Sequence, residues 1–184
     1  MKELALHVLD IAQNSISARS TLIEISVTED LIEDKLIIQV KDNGCGMTPE
    51  LLDNVADPFI TTRTSRKVGL GIPFLKQAAI ECNGDLWIRS IPREGTLLTA
   101  EFQYSHIDRM PLGNIVDTIA TLLIGNDSFD LVYRHQVNGN ECVLDTREIK
   151  DAIQDVPLDH PEVIQWVRDT LNHEINELTM NRKE

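Results

Sequence analysis

Apolar residues return every three to four positions over residues 2–18, and this spacing predicts a helix. Leu4, Val8, Leu9, Ile11, Ala12 and Ile16 cover about half of its circumference. His7, Asp10, Asn14 and Ser17 fall on one narrow polar stripe between these flanks. A solvent-facing stripe normally uses Lys, Glu, Arg and Gln, so short polar groups here point to a stripe that lines a pocket. Residues 21–28 and 35–41 are rich in Ile, Val, Leu and Thr, and predict two strands joined by the acidic turn 29–34. Thr48-Pro49-Glu50 starts a short helix, with Thr as cap and Pro at the first helical position. Residues 57–68 show no period and are expected to form a mobile loop. Helical spacing resumes over 70–82, with Leu75, Ala78, Ala79 and Cys82 on one side and Asn83-Gly84 as its end. Strands at 85–91 and 96–104 follow, turned by Pro92-Arg93-Glu94-Gly95.

The composition shifts after Tyr104. Ser105 to Pro111 is expected to be a linker. An amphipathic helix over 112–124 uses Leu112, Ile115, Val116, Ile119, Leu122 and Leu123. Residues 129–137 and 141–145 predict a hairpin around Asn138-Gly139. Asp145 and Glu148 have the spacing of a capping box for a helix over 146–154. A last helix follows Pro161, striped by Ile164, Val167, Leu171, Ile175 and Leu178. The expected organisation is one domain over 1–104 and an appended α/β module over 105–184, for partner or dimer contact. There is no internal repeat and no low-complexity tract.

With 184 residues, 42% hydrophobic and 26% charged, the chain has enough apolar material for a real core. No stretch of about 18 apolar residues suggests a membrane span. The N-terminal residues reach polar positions too early for a secretory signal, so a cytoplasmic protein is expected. The net charge of −13 repels nucleic acid and anionic lipid at long range and disfavours both as partners. Cys45, Cys82 and Cys142 stand far apart without a CxxC pair, which argues against a zinc or disulfide framework.

Four short motifs carry the candidate chemistry, in order: Asp10-x-x-x-Asn14, Asp42-Asn43-Gly44-Cys45-Gly46, Val68-Gly69-Leu70-Gly71-Ile72 and Gly95-Thr96. Asp42 closes a strand, where a fixed carboxylate can accept a hydrogen bond from an exocyclic amine such as that of adenine. Gly44 and Gly46 let backbone approach a flat base, although Asp-Asn-Gly is also common in ordinary turns. Gly69 and Gly71 expose N–H groups at a helix start, an anion site that fits neither the Rossmann nor the Walker pattern. Asn14 offers a side-chain oxygen to a hard cation such as Mg²⁺, which also takes phosphate oxygens and waters. Asp10, one turn earlier, could orient a water or hydroxyl for attack on a terminal phosphate. Thr61, Thr62, Arg63, Arg66 and Lys67 crowd the loop between the glycine motifs, where cations and hydroxyls could fold over phosphates. Together the motifs describe a magnesium–nucleotide pocket.

These residues resemble a known family. Leu9-Asp10-Ile11-Ala12-Gln13-Asn14-Ser15 is similar to the N box of the GHKL ATPases: gyrase-type topoisomerases, heat-shock chaperones, sensor histidine kinases and mismatch-repair proteins. Asp42 to Met47 resembles their first glycine box. Asp57-Pro58-Phe59-Ile60-Thr61-Thr62-Arg63 with Val68 to Ile72 resembles the F box, lid and second glycine box of histidine-kinase ATPase domains. Gly95-Thr96 with Ala100-Glu101-Phe102 resembles the closing strand, and the likeness spans residues 2–104. It implies a two-layer α/β sandwich of Bergerat type, a mixed sheet with helices on one face. It implies ATP and Mg²⁺ as ligands: Asn14 on the metal, Asp42 and Thr96 at adenine, Gly69 and Gly71 on phosphates. Gly44, Gly46, Met47, Thr61, Thr62, Arg63, Lys67 and Leu70 join the expected nucleotide contacts, and Asp10 is the expected catalytic group.

The family often carries Glu where this chain has Asp10, one methylene shorter, which leaves hydrolysis open while binding is expected. The sequence begins at the N-box helix, so self-phosphorylation of the sensor-kinase kind is not expected. The reading that results is a regulatory Mg-ATP-binding protein whose lid closure alters contact with a protein partner. Two alternatives stand beside it: an anti-sigma-type serine/threonine kinase, and a non-catalytic nucleotide-binding subunit of a hydrogenase-like redox complex.

Overall fold

The computed structural model describes residues 2–55, 71–126 and 128–180. The expected loop over 57–68 lies outside them. The elements follow the hydrophobic pattern closely. Helix α1 spans Leu4–Ser17, β1 Leu22–Asp30 and β2 Lys35–Asp42. The short α2, Pro49–Asn54, is capped by Thr48, whose side chain accepts from the Leu51 N–H. Helix α3 covers Gly71–Glu81, followed by β3 over Asp85–Ile91 and β4 over Gly95–Gln103. Asn83, rather than Gly84, takes the left-handed position that ends α3, at φ +56°.

Beyond Tyr104 come α4 (Ile115–Leu123), β5 (Asp130–Val137), β6 (Asn140–Asp145), α5 (Thr146–Ile153) and α6 (Pro161–Met180). Asn138 and Gly139 both have positive φ, as the tight β5–β6 turn requires. Asp145 caps α5 by accepting from the Arg147 N–H.

All six strands form one mixed sheet in the order β3-β4-β2-β1-β5-β6. β1 pairs antiparallel with β2 and parallel with β5. The change in composition after Tyr104 therefore marks no break in the sheet: the later segment continues it from the free edge of β1. One face is apolar, with Ile23, Ile25 and Val27 of β1, Leu36, Ile38 and Val40 of β2, and Leu98, Ala100 and Phe102 of β4 buried on it. Helices cover that face. α1 packs on β2, α3 on β3 and β4, and α6 on β5 and β6, while α4 packs against both α1 and α6. Each fully buried Leu, Ile or Phe stabilises the fold by about 1.5–3 kcal/mol relative to exposure.

The other face is laced by cross-strand polar pairs: Lys41 with Glu24, Lys35 with Glu101, Arg134 with Glu141, and Gln39 with both Ser26 and Thr99. A hollow of about 260 Å³ lies there between Glu24, Gln39, Lys41, Leu97 and Arg134. It contains none of the motif residues.

The start of the expected linker is tied to the sheet. Asp34 accepts from the Ser105 N–H, the Ser105 hydroxyl and Gln103 Nε2, and these bonds hold its carboxyl below the usual carboxylate range. The linker's far end reaches α1, where the N–H groups of Leu4 and Ala5 donate to the carbonyls of Pro111 and Leu112. Two otherwise unpaired donors of a helix start are satisfied in this way.

The core also holds a polar chain. The Tyr133 hydroxyl lies 2.7 Å from His135 Nδ1, and His135 Nε2 lies 2.9 Å from Glu29 Oε1. Both bonds are made when Nε2 carries the ring hydrogen and donates to Glu29, while Nδ1 accepts from Tyr133. Burial pushes the Tyr133 hydroxyl well above the ordinary phenol value. Beside it, burial and the nearby Glu174 push the Cys142 thiol up to about 11.

Candidate functional site

Alternation along three strands brings Asp42, Thr96 and Ser90 into one row. Asp42 follows Leu36, Ile38 and Val40 on the helix-covered face of β2; Thr96 precedes Leu98 on β4; Ser90 follows Leu86 and Ile88 on β3. The register pairs Asp42 with Thr96 and Thr96 with Ser90, at the same end of the sheet.

The Asp42 carboxylate is held from two sides. Oδ1 accepts from the Gly44 N–H at 2.9 Å, and Oδ2 accepts from the buried Ser15 hydroxyl at 2.7 Å. Ser15 stands on α1 directly after Asn14, so the helix that carries the N-box residues is joined to the first glycine loop. Asn43 ties the loop to the start of β1: its side-chain oxygen accepts from the N–H groups of Thr21 and Leu22.

Two glycines are required by close backbone approach. Gly46 has φ +63°, and a Cβ there would stand 2.0 Å from the Ile91 carbonyl oxygen. Gly95 has φ +125°, and a Cβ would stand 1.9 Å from the Asp42 carbonyl oxygen. The glycine loop and the β3–β4 turn thus touch backbone to backbone, reinforced by the Arg93 N–H donating to the Cys45 carbonyl. Ser90 closes the arrangement. Its oxygen accepts from the Met47 N–H at 2.8 Å, lies 3.0 Å from the Gly95 carbonyl, and lies 2.9 Å from Thr96 Oγ1.

The polar stripe of α1 runs from core to surface. His7 is buried, Asp10 and Asn14 are half-buried, and Ser17 is exposed. The first residue of α3 meets this stripe: His7 Nδ1 lies 3.3 Å from the Gly71 carbonyl oxygen. A Cβ on Gly71 would fall 1.7 Å from Asp10 Oδ2, so a side chain there would displace that carboxylate. The described part of the second glycine motif is therefore against Asp10, while Ser15, farther along the helix, reaches the first. Thr61, Thr62, Arg63, Lys67, Gly69 and Leu70 lie outside the described residues.

Burial lowers the His7 pKa from its ordinary 6.5, with the Gly71 carbonyl opposing the shift. The unfolded chain then binds the proton more readily than the folded one. Stability from this group is complete above about pH 6.5 and is lost as pH falls through the lower folded value. Denaturant midpoints of the wild type should fall on acidification from pH 7 to about 5.5, and His7→Gln should flatten that slope. Parallel slopes for the two proteins would remove His7 as the cause.

Among the described residues no group of three or more His, Cys, Asp or Glu is arranged to hold a metal ion, and no helix is long and apolar enough to cross a membrane.

Residues 2–106 match the family described as histidine kinase-, DNA gyrase B-, and HSP90-like ATPase, which is more than half of the chain. The chain belongs to this family. Within it, the chain is 30% identical over 92 residues to sporulation kinase D of Bacillus subtilis, covering 50% of this chain and 18% of the kinase. It is 33% identical over 99 residues to the signal transduction histidine-protein kinase AtoS of Escherichia coli, covering 54% of this chain and 16% of AtoS. The chain thus spans less than a fifth of either kinase. The fold is also that of the ATPase domain of MutL from Aquifex aeolicus, solved in complex with ADP, with a TM-score of 0.50 at 14% identity. That likeness covers 84% of this chain and 70% of the MutL domain. The N-terminal domain of a DNA repair protein gives a TM-score of 0.56 at 16% identity, over 79% of this chain and 53% of that one. The mixed sheet with helices on one face is the family's α/β fold.

Two residues of the site were not singled out by sequence reasoning. Ser15 sits inside the N-box match, and Ser90 is the last residue but one of β3. Each is a small polar residue at a position where the local period calls for an apolar one, and that interruption was the available signal.

Proposed function

We propose that this family member binds Mg-ATP at the end of the sheet marked by Asp42, and that occupancy alters its contact with a protein partner. The observation that carries the reading is the Asp42 carboxylate held by Ser15 and Gly44, with Thr96 beside it and the N-box helix above. A carboxylate fixed by two donors keeps its remaining lone pairs for an exocyclic amine. Met47, Gly44 and Gly46 would line the base, and Gly69, Leu70 and Gly71 would meet phosphates at the start of α3. Thr61, Thr62, Arg63 and Lys67 would close over the phosphates.

Asn14 would hold Mg²⁺. Its carboxamide supplies one hard oxygen, which fits a cation that completes its shell with phosphate oxygens and waters rather than a protein cage. The metal would neutralise phosphate charge. Asp10 would orient a water, or a hydroxyl of a partner protein, toward the terminal phosphate. Residues 105–184 would form the partner or dimer contact. The bonds from Leu4 and Ala5 to Pro111 and Leu112, with the Thr118 hydroxyl donating to the Ala5 carbonyl, support coupling between that segment and the N-box helix.

Isothermal titration tests the reading. Wild-type protein should bind ATP in a magnesium-dependent way. Asn14→Ala should weaken binding in magnesium by more than about tenfold and bring it near the wild-type value in EDTA. Affinity in magnesium equal to that of the wild type would remove Asn14 from the metal. Release of free phosphate would favour an ATPase, whereas label from the γ-phosphate on a co-purifying protein would favour a kinase.

A further inference from the structure

His7 opens the polar stripe of α1 and is only 2% exposed. Across the contact between α1 and α3, its Nδ1 lies 3.3 Å from the Gly71 carbonyl oxygen. A carbonyl has no proton to give, so Nδ1 carries the hydrogen and donates it. Burial lowers the pKa of the ring from its ordinary 6.5, so near neutral pH the ring is uncharged and has one hydrogen to spend.

That bond holds a peptide plane. The unit joining Gly71 to Ile72 is planar and trans, so its C=O and N–H point in opposite directions. Gly71 has no side chain because the Asp10 carboxylate lies where a Cβ would stand. A glycine leaves the plane that follows it free to turn. With the carbonyl oxygen fixed on His7, the Ile72 N–H is fixed as well. Gly71 and Ile72 are the first two residues of α3, and the leading N–H groups of a helix have no partner within it. Such donors can meet an anion. A bond accepted by the carbonyl also polarises the unit and strengthens its N–H as a donor.

We propose that His7 is a positioning residue for phosphate: through the Gly71 carbonyl it aims the Ile72 N–H at the phosphate chain of the nucleotide. This rests on the nucleotide reading above and adds to it a buried residue that serves the phosphates and not the base.

The test titrates the full chain with ATP, in magnesium, and with adenosine, which carries base and ribose without phosphates. His7→Leu keeps apolar bulk and deletes the donor. It should weaken ATP by about tenfold and leave adenosine within about twofold. His7→Asn puts a carboxamide N–H near the position of Nδ1 and should bring ATP back to within about threefold of wild type. Equal loss of ATP and adenosine in His7→Leu would show only a structural role and overturn the inference, while the nucleotide reading stood. Wild-type ATP affinity in His7→Leu, or no recovery in His7→Asn, would overturn it as well.

Nuclear magnetic resonance of the wild type gives an arm that needs no variant. The Ile72 amide signal should move on addition of ATP and stay in place with adenosine, and the ring hydrogen of His7 should be found on Nδ1. An Ile72 signal indifferent to ATP, or a ring hydrogen on Nε2, would refute the proposal even if His7→Leu did not fold. Binding of neither ligand by the wild type would remove the nucleotide reading, and this inference with it.

Discussion

Asp42→Asn is expected to weaken ATP binding by about a hundredfold, close to 2.7 kcal/mol, with little change in the stability of the fold. The substitution keeps shape and alters one atom. The Gly44 N–H still needs an acceptor, so the amide oxygen takes the place of Oδ1. The amide NH₂ then replaces Oδ2 beside Ser15, whose hydroxyl can turn and accept from it. Inside the protein the bonds are rearranged rather than lost. Toward the pocket, a donor now stands where the exocyclic amine also brings donors. Asp42→Ala would mix this effect with loss of the partners of Gly44 and Ser15, so Asn is the more informative change. Titration calorimetry gives the affinity and thermal melting the stability. Near-wild-type affinity in a folded Asp42→Asn protein would exclude Asp42 as the reader of the base.

The largest loss of stability is expected from His135→Leu. The imidazole joins the Tyr133 hydroxyl to Glu29 in the core, and leucine offers neither a bond. Removing one member of a buried polar chain costs about 3 kcal/mol or more, because the groups that remain have been taken out of water. For a chain of this size the melting temperature should fall by roughly 10 °C. Tyr133→Phe removes one hydroxyl and should cost clearly less. ATP affinity should stay within about twofold of wild type in both, since Glu29 lies at the opposite end of β1 from Ile23, the register partner of Asp42. A His135→Leu protein within 1 kcal/mol of wild type would mean that the chain contributes no net stability.

The hydrophobic period was enough to find the strands and helices, because each strand presents one face to helices and one to solvent. Leu36, Ile38 and Val40 alternate cleanly with Ile37, Gln39 and Lys41. What the period does not carry is which strand lies beside which. The parallel pairing of β1 with β5 joins residues more than a hundred positions apart, such as Leu22 with Asp130, and no local signal announces it. The site divides in the same way. Asp42 and Gly46 were legible because a carboxylate at a strand end and a loop glycine are local features. Ser15 and Ser90 act across elements, on Asp42 of β2 and on Met47 of the glycine loop, and only the packed sheet brings those partners within reach. Glu29 and His135 belong to the same class, polar residues on the core-facing rows of neighbouring strands whose mutual satisfaction depends on β1 meeting β5.

Helix α1 has 14 residues and so is a rod about 21 Å long. Its foot is clamped by the chain segment at Pro111 and Leu112, and its upper turns carry Asn14 and Ser15. Held at both ends, by that clamp and by the bond from Ser15 to Asp42, the rod is a stiff strut between the segment after Tyr104 and the first glycine loop.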